Sequence, residues 1–329
     1  MARLHIRASL RPILAASVAL LGLARHHAHA AEGLDLTAPS QPADPTAATA
    51  PRVDAAGLAG YLAEWEQRAA RVRASQPSWS SPLVTTTGLL EQRLRIDLQQ
   101  EHSGNGTNTT VLDGGRGVDL IVSDANEVQF ASDPYYIRTG IPGRGPKNKG
   151  AITPLSGFAD WTFLRFEQRL ASSPESGGNY VLTASLQVQA PTGIERLSGN
   201  SWQYVPTLAF GKGWGAFDVQ GTFGAVLPAA HSDTIGYQLQ TSIAVQYHLL
   251  RVVWPELEVN WTYYANGQRG GLSQVYLTPG LVIGRFAVAE KLRGTFGFGY
   301  QVAVTPSYRS SPLTPAYNHA WLFTNRLNF

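Results

Sequence analysis

The side chains best equipped for chemistry in this sequence are charged groups at alternate positions. Glu91, Arg93, Arg95 and Asp97 stand two residues apart, as do Arg165, Glu167 and Arg169. Glu258, Arg293 and Arg326 occur singly inside similar polar–apolar alternation. A two-residue spacing puts side chains on one face of a β-strand. On the inner face of a closed sheet, acids and arginines can form rings that select ions. Equally, they can pair into a salt-bridged interior that fills the hole. The second reading suits a narrow barrel, because open aqueous channels belong to barrels of about 16–18 strands. Closure of the sheet would make neighbours of the strands that carry Arg93, Arg293 and Arg326.

Other chemistries find little support. The chain contains no cysteine, so disulfides, thiolate metal sites and lipoprotein acylation are excluded. His231-Ser232-Asp233 is the one tight cluster of hydrolase-type residues. Adjacent residues on an extended chain point apart, so adjacency makes no dyad. A lipid hydrolase is the enzyme alternative, but no catalytic, cofactor-binding or metal-binding residue is expected, and no cofactor. Gly104-Asn105-Gly106 and Gly270-Gly271 lack the strand–loop–helix setting of a phosphate site. The chain has 26 basic and 23 acidic residues, but Arg3, Arg7, Arg11 and Arg25 fall in the first thirty. Without those four, 22 basic residues face 23 acidic ones, a net charge of −1. No basic patch interleaved with aromatics remains to meet nucleic acid.

The elements that must position the charges are strands. Tyr180, Leu182, Ala184, Leu186 and Val188 alternate with Thr183, Ser185, Gln187 and Gln189. The same alternation runs through Tyr237–Leu249, Leu257–Tyr263 and Leu292–Val304. Runs of about ten residues are long enough for a tilted strand to cross hydrocarbon. Strands are predicted to start near Leu89, Val111, Val128, Phe158, Tyr180, Ser201, Trp214, Tyr237, Leu257, Gln274, Leu292 and Tyr317. Gly114, Gly115 and Gly117 interrupt the second. The connectors predict long outer loops at 141–156, 191–200, 228–235 and 306–315, and short inner turns at 123–126 and 211–213, with a longer inner turn at 172–178. Trp202, Tyr204, Trp214, Tyr237, Tyr247, Trp254, Trp261, Tyr263, Phe286, Tyr317 and Trp321 are placed as interfacial girdles. The fold class expected is all-β: a transmembrane antiparallel up-and-down β-barrel of about 12 strands, with a short N-terminal helix. The barrel is assigned to residues 82–329.

The ends of the chain agree with export to a membrane. Arginines followed by an apolar run over 13–24 and by Ala28-His29-Ala30 predict a signal peptide over 1–30. Residues 31–55, rich in Ala, Pro and Thr, read as a disordered periplasmic tether. Over 56–76, Leu58, Tyr61, Leu62, Trp65, Ala69 and Val72 recur at helical spacing. That helix could plug the barrel, pack on its rim or on a partner, or lie on the surface. At the other end, Phe323, Leu327 and Phe329 share one strand face with Trp321. This ending resembles the terminal strand of Gram-negative outer-membrane barrels, where a final Phe forms part of the insertion signal. The resemblance implies the cell outer membrane as location, with its lipid and lipopolysaccharide and the barrel-assembly machinery as partners. Arg144, Lys147 and Lys149 on a proposed loop are candidates for touching lipopolysaccharide.

A second resemblance rests on the order of short motifs. Ser156-Gly-Phe-Ala-Asp160 opens a strand, and Tyr180–Gly193 ends in a Pro-Thr-Gly corner. Asn200-Ser-Trp-Gln-Tyr204, Ala209-Phe-Gly-Lys212 and Trp214-Gly-Ala-Phe217 follow. This order resembles the outer-membrane barrels of the MetA-pathway of phenol degradation family, over roughly Ser156 to Phe329. It implies a transporter for small solutes, hydrophobic or aromatic ones among them, and supplies no site residues. A non-transporting structural barrel is the third class.

Overall fold

The computed structural model describes residues 55–103, 106–113, 116–139, 154–250, 252–305 and 317–329. The expected signal peptide, all of the expected tether except Ala55, and the basic residues Arg144, Lys147 and Lys149 lie outside the described residues. Among the described residues one helix, α1 (Ala55–Ala74), precedes fifteen strand segments. These are β1 (Arg93–His102), β2 (Asn108–Leu112), β3 (Gly117–Ile121), β4 (Asn126–Ala131), β5 (Tyr135–Thr139), β6 (Leu155–Phe158), β7 (Trp161–Ser173) and β8 (Tyr180–Ala190). They continue as β9 (Gln203–Trp214), β10 (Phe217–Pro228), β11 (Gln238–Tyr247), β12 (Val253–Tyr264), β13 (Ser273–Ala289), β14 (Leu292–Thr305) and β15 (His319–Asn328).

The segments form a closed, antiparallel 12-stave barrel. β15 returns to β1 over ten residue pairs, from Arg93 opposite Asn328 to His102 opposite His319. Closure of β15 on β1 removes the two long open edges of a flat sheet; among the described residues the short β6 keeps a ladder partner on one side only, β5. Fifteen segments make 12 staves because three adjacent staves are each broken once. β2 and β3 both pair with β1, β5 continues β4 on β2, and β6 continues β7 on β5. The breaks lie side by side. Asp113 turns with φ 57°. Pro134, next in the seam, has no N–H for a ladder. Across the seam, Ser132 N–H donates to the Arg116 carbonyl at 2.6 Å and Ala159 N–H to the Pro134 carbonyl at 2.9 Å.

Side-chain parity follows the pleat. Leu186, Leu208, Phe210, Phe223, Val245, Leu257, Val259, Phe296 and Phe298 point outward and are exposed, while Thr183, Asp218, Gln220, Glu258, Thr278 and Arg326 point inward and are buried. A continuous exposed apolar belt over a polar interior reverses a soluble core, and marks a surface that meets an apolar medium. A bulge in β7 between Trp161 and Leu164 resets its parity, so that Thr162 and Arg165 both face in.

The structure corrects several sequence-based expectations. The first strand starts at Arg93, not near Leu89; Leu89 and Leu90 are buried with the segment that precedes the barrel. The expected turn at 211–213 is strand: β9 runs through it to Trp214, β10 starts at Phe217, and the turn is Gly215 (φ 60°) with Ala216. Glycine there signals lack of room rather than a bend. A Cβ at Gly211 or Gly213 would come within 3.0 Å of the Trp79 ring. Two girdle assignments also fail. Trp254 shares the inward parity of Glu256 and Glu258 and is 1% exposed. Tyr317 stacks on inward-facing Tyr276 at 4.7 Å and donates its hydroxyl to Gln301.

A closed barrel resists detergent until heated. In dodecyl sulfate gels, unheated protein is expected to run at a different mobility from boiled protein; identical mobilities would contradict closure of β15 on β1.

Candidate functional site

The lumen is occupied at the end where both barrel termini lie. Residues 75–92, which join α1 to β1, contain no helix or strand, yet nearly all of residues 76–90 are buried. Irregular backbone has no ladder partner, so its buried N–H and C=O groups need side-chain partners or carry a penalty of about 1–3 kcal/mol each. The barrel wall supplies them. Arg285 donates to the carbonyls of Ser78 and Trp79, the latter at 2.7 Å. Gln220 reaches the Ser80 carbonyl at 2.8 Å. Arg326 donates to the carbonyls of Ser81 and Pro82, the latter at 2.7 Å. Arg95 reaches the Leu83 carbonyl at 2.5 Å, Arg116 that of Val84 at 3.1 Å, and Thr183 that of Gly88 at 2.5 Å.

Acids on β12 serve the amides. Leu83 N–H donates to Glu256 at 3.0 Å and Val84 N–H to Glu258 at 2.8 Å. Thr85 gives Glu258 both its N–H (2.6 Å) and its hydroxyl (2.5 Å). The plug tip thus lies between donors on β1, β15 and the seam and acceptors on β12. Apolar knobs lock it laterally. Trp79 packs with Leu89 and Val181, and Leu83 with Trp254 and Val282. A Cβ at Gly280, Gly297 or Gly299 would come within 3.0 Å of Leu83. These strand glycines form hollows for plug side chains, as close packing requires.

Helix α1 sits at the same end, against the rim. Ala69 and Val72 pack on Leu90 and Ile121, whereas Tyr61 and Leu62 are exposed. Arg68 donates to the Val122 carbonyl (3.0 Å), Arg71 pairs with Asp124 (3.1 Å), and Arg73 reaches the Phe329 carbonyl (3.2 Å). Lys291, in the β13–β14 turn, pairs with Glu66 at 2.7 Å. That carboxylate raises the exposed Lys291 ammonium above its ordinary pKa. Arg169 donates to the Val72 carbonyl and to Gln76, capping the helix C-terminus from the wall.

The structure brings most of the sequence-predicted charges together and separates a few. Arg93 pairs with Asp119 at 2.6 Å and with Glu91. Arg95 and Arg116 share Asp97, at 2.8 and 3.2 Å. Arg165 pairs with Glu167 at 2.6 Å. Glu258 and Arg326 hold the plug, on opposite sides. Arg169 lies at the rim. Arg293 is exposed at the start of β14 and takes no part in a layer with Arg93 and Arg326, because its strand begins at the rim. Phe329 is exposed, while Phe323 and Leu327 are half-buried on the outer face of β15. His231 occupies an exposed turn with φ 57°, where its carbonyl accepts from Thr234 and Ile235.

Sequence reasoning missed Asp119, Glu127, Gln220 and Glu256. Asp119 alternates with Val118 and Leu120, and Glu127 with Val128, so parity alone could have found them. Nothing periodic announces residues 76–90. The two motifs behind the family resemblance meet in space. Asp160 accepts from Gly193 N–H (3.2 Å) and Gly199 N–H (2.8 Å), and Thr192 accepts from Trp161 N–H (3.1 Å). They fix the β8–β9 loop on the seam.

On the long-loop side of the plug lie two adjoining cavities of about 560 and 430 Å³, which share Thr86, Gln187, Gln189 and Gln203. On the helix side, a cavity of about 850 Å³ lies under Trp65 and Ala69 and has no lining residue in common with those two.

No protein-family model matches the chain, and no curated protein matches it. Three similar solved structures are an outer membrane channel and two porins. An outer membrane channel from Pseudomonas putida F1 is 14% identical, with 76% of this chain and 100% of that one covered and a TM-score of 0.47. The NanC porin is 8% identical, covering 71% and 98%, with a TM-score of 0.42. The KdgM porin is 9% identical, covering 72% and 99%, with a TM-score of 0.37.

Replacing Glu258 by Leu removes the acceptor for three donors of Val84 and Thr85. Hydrogen exchange of the 76–90 amides is expected to rise on the order of 10²-fold while the barrel ladder stays protected. Unchanged exchange at Val84 and Thr85 would refute the anchoring role.

Proposed function

We propose that this protein is an outer-membrane channel for small solutes, closed on its terminal side by the segment 76–90. One observation carries the reading: a 12-stave barrel with an apolar exterior and a polar interior holds an irregular segment by side-chain hydrogen bonds and two apolar knobs. Such an exterior suits lipid, and closure of β15 on β1 pairs the first and last staves without water. The short turns and both barrel ends would then face the periplasm, and the long loops the cell exterior and its lipopolysaccharide. Export by a cleaved signal peptide, and recognition of Phe323, Leu327 and Phe329 by the assembly machinery, complete the route. Hydrophobic and aromatic solutes enter as candidates from the family resemblance. The inward charges serve first as scaffold, because most are paired or hold the plug, and as a selectivity layer where ions reach them.

In planar bilayers the full chain is expected to show small or infrequent channel events. Glu256→Ala with Glu258→Ala releases the plug tip, and conductance should rise several-fold; a variant with heat-modifiable mobility and no conductance would overturn the channel reading. In the same bilayers, Arg93→Ala with Arg326→Ala is expected to shift the reversal potential, and an unchanged value assigns both arginines to scaffolding.

A further inference from the structure

We propose that the smaller of the two loop-side cavities is a binding site for an uncharged, polyhydroxylated solute of the saccharide type. The proposal names the solute class of the channel and rests on that reading of the lumen. The cavity measures about 430 Å³, inside the range of small-molecule pockets, and lies against the plug tip at Val84 and Thr86.

Charge separates it from its neighbour. Among the described residues no Asp, Glu, Lys, Arg or His lines it, whereas the adjoining cavity carries Glu101, Arg116, Arg138, Asp160 and Arg165. An ionic solute would surrender its hydration here without a counter-charge. The lining is instead built from primary amides and hydroxyls with spare capacity. The side chains of Gln187 and Gln203 make no hydrogen bond among the described residues. Gln240 gives its N–H to Gln238 at 3.3 Å, which leaves the Gln240 carbonyl oxygen and the Gln238 amide nitrogen unspent.

Asn260 fixes the direction of the array. Its Oδ1 accepts from Gln301 at 3.1 Å and from Thr278 at 3.4 Å, and its Nδ2 is buried without a partner. The neighbours' demand for an acceptor sets the amide orientation and leaves an unspent donor buried in the wall of the cavity. Every free primary amide presents a donor and an acceptor side by side. A hydroxyl also donates and accepts, so a ring of hydroxyls matches a mixed array at each point. A carboxylate only accepts. An aromatic hydrocarbon would displace water from these amides and return nothing, which sites of this kind reject strongly.

Saturation-transfer NMR on the full-length barrel, in a detergent without a sugar headgroup, tests the assignment. The probes are sucrose, glucose, gluconate and benzyl alcohol. Sucrose and glucose should give saturable transfer, and gluconate and benzyl alcohol much less. Gln187→Leu with Gln240→Leu should weaken sucrose binding by about tenfold or more, and Asn260→Leu should weaken it in the same direction. Gln168→Leu, at an exposed position of β7 on the outer face, serves as the control and should bind as the parent does. Gluconate or benzyl alcohol binding as well as sucrose, or cavity variants that bind like the control, would overturn the proposal. Conductance is read separately. A barrel that conducts but gives no sugar transfer sinks the site and spares the channel. A barrel that binds sucrose but never conducts supports the site and sinks the channel.

Discussion

Everything inside this barrel follows from one requirement: buried peptide groups need partners. Residues 76–90 run through the lumen without helix or ladder, so side chains must answer their carbonyls and amides one at a time. Arginines meet carbonyls because a guanidinium offers several donors in a fixed fork. Glutamates meet amides because a carboxylate accepts from several directions. The opposed placement of Arg95, Arg116 and Arg326 against Glu256 and Glu258 therefore comes from the plug's own donor and acceptor pattern. It also disposes of the charges themselves, since an isolated ionic group buried beneath the plug would be very costly.

The same requirement explains the polar interior. A soluble core would be aliphatic; here the inward positions are Thr, Gln, Asp, Glu and Arg, and the aliphatic residues face out. Apolar packing survives inside only where the plug brings its own knobs. Trp79 and Leu83 seat in hollows left by glycines on β9, β13 and β14, so these glycines act as absent side chains, Gly211 and Gly213 among them although their sequence reads as a turn. The seam of broken staves gives the loops their anchor, through Asp160 and the Pro-Thr-Gly corner. The motifs that carry the family resemblance are thus accounted for by architecture, with no solute contact needed.

Much of the fold was legible because a strand writes its two faces into alternate residues. Tyr180–Gln189, Tyr237–His248 and Leu292–Gln301 show this over their full length, and the same alternation on their own strands places Arg93, Arg165, Glu167, Glu258 and Arg326 indoors. Parity failed where the backbone departs from regular pleat. The β7 bulge between Trp161 and Leu164 shifts the inward set by one residue. Trp254 was misread by composition, as a tryptophan near a strand end, although its parity with Glu256 places it inside.

The sequence by itself determined the staves, the apolar and polar faces, and the closing role of the last strand, because all of these depend on neighbours two residues away. Only the tertiary structure decided what fills the hole. The partners of Val84 and Thr85 lie more than 170 positions away in sequence, and the hollow for Trp79 is made on β9 by the lack of side chains. No local pattern encodes a contact whose two halves meet only when the sheet closes on itself.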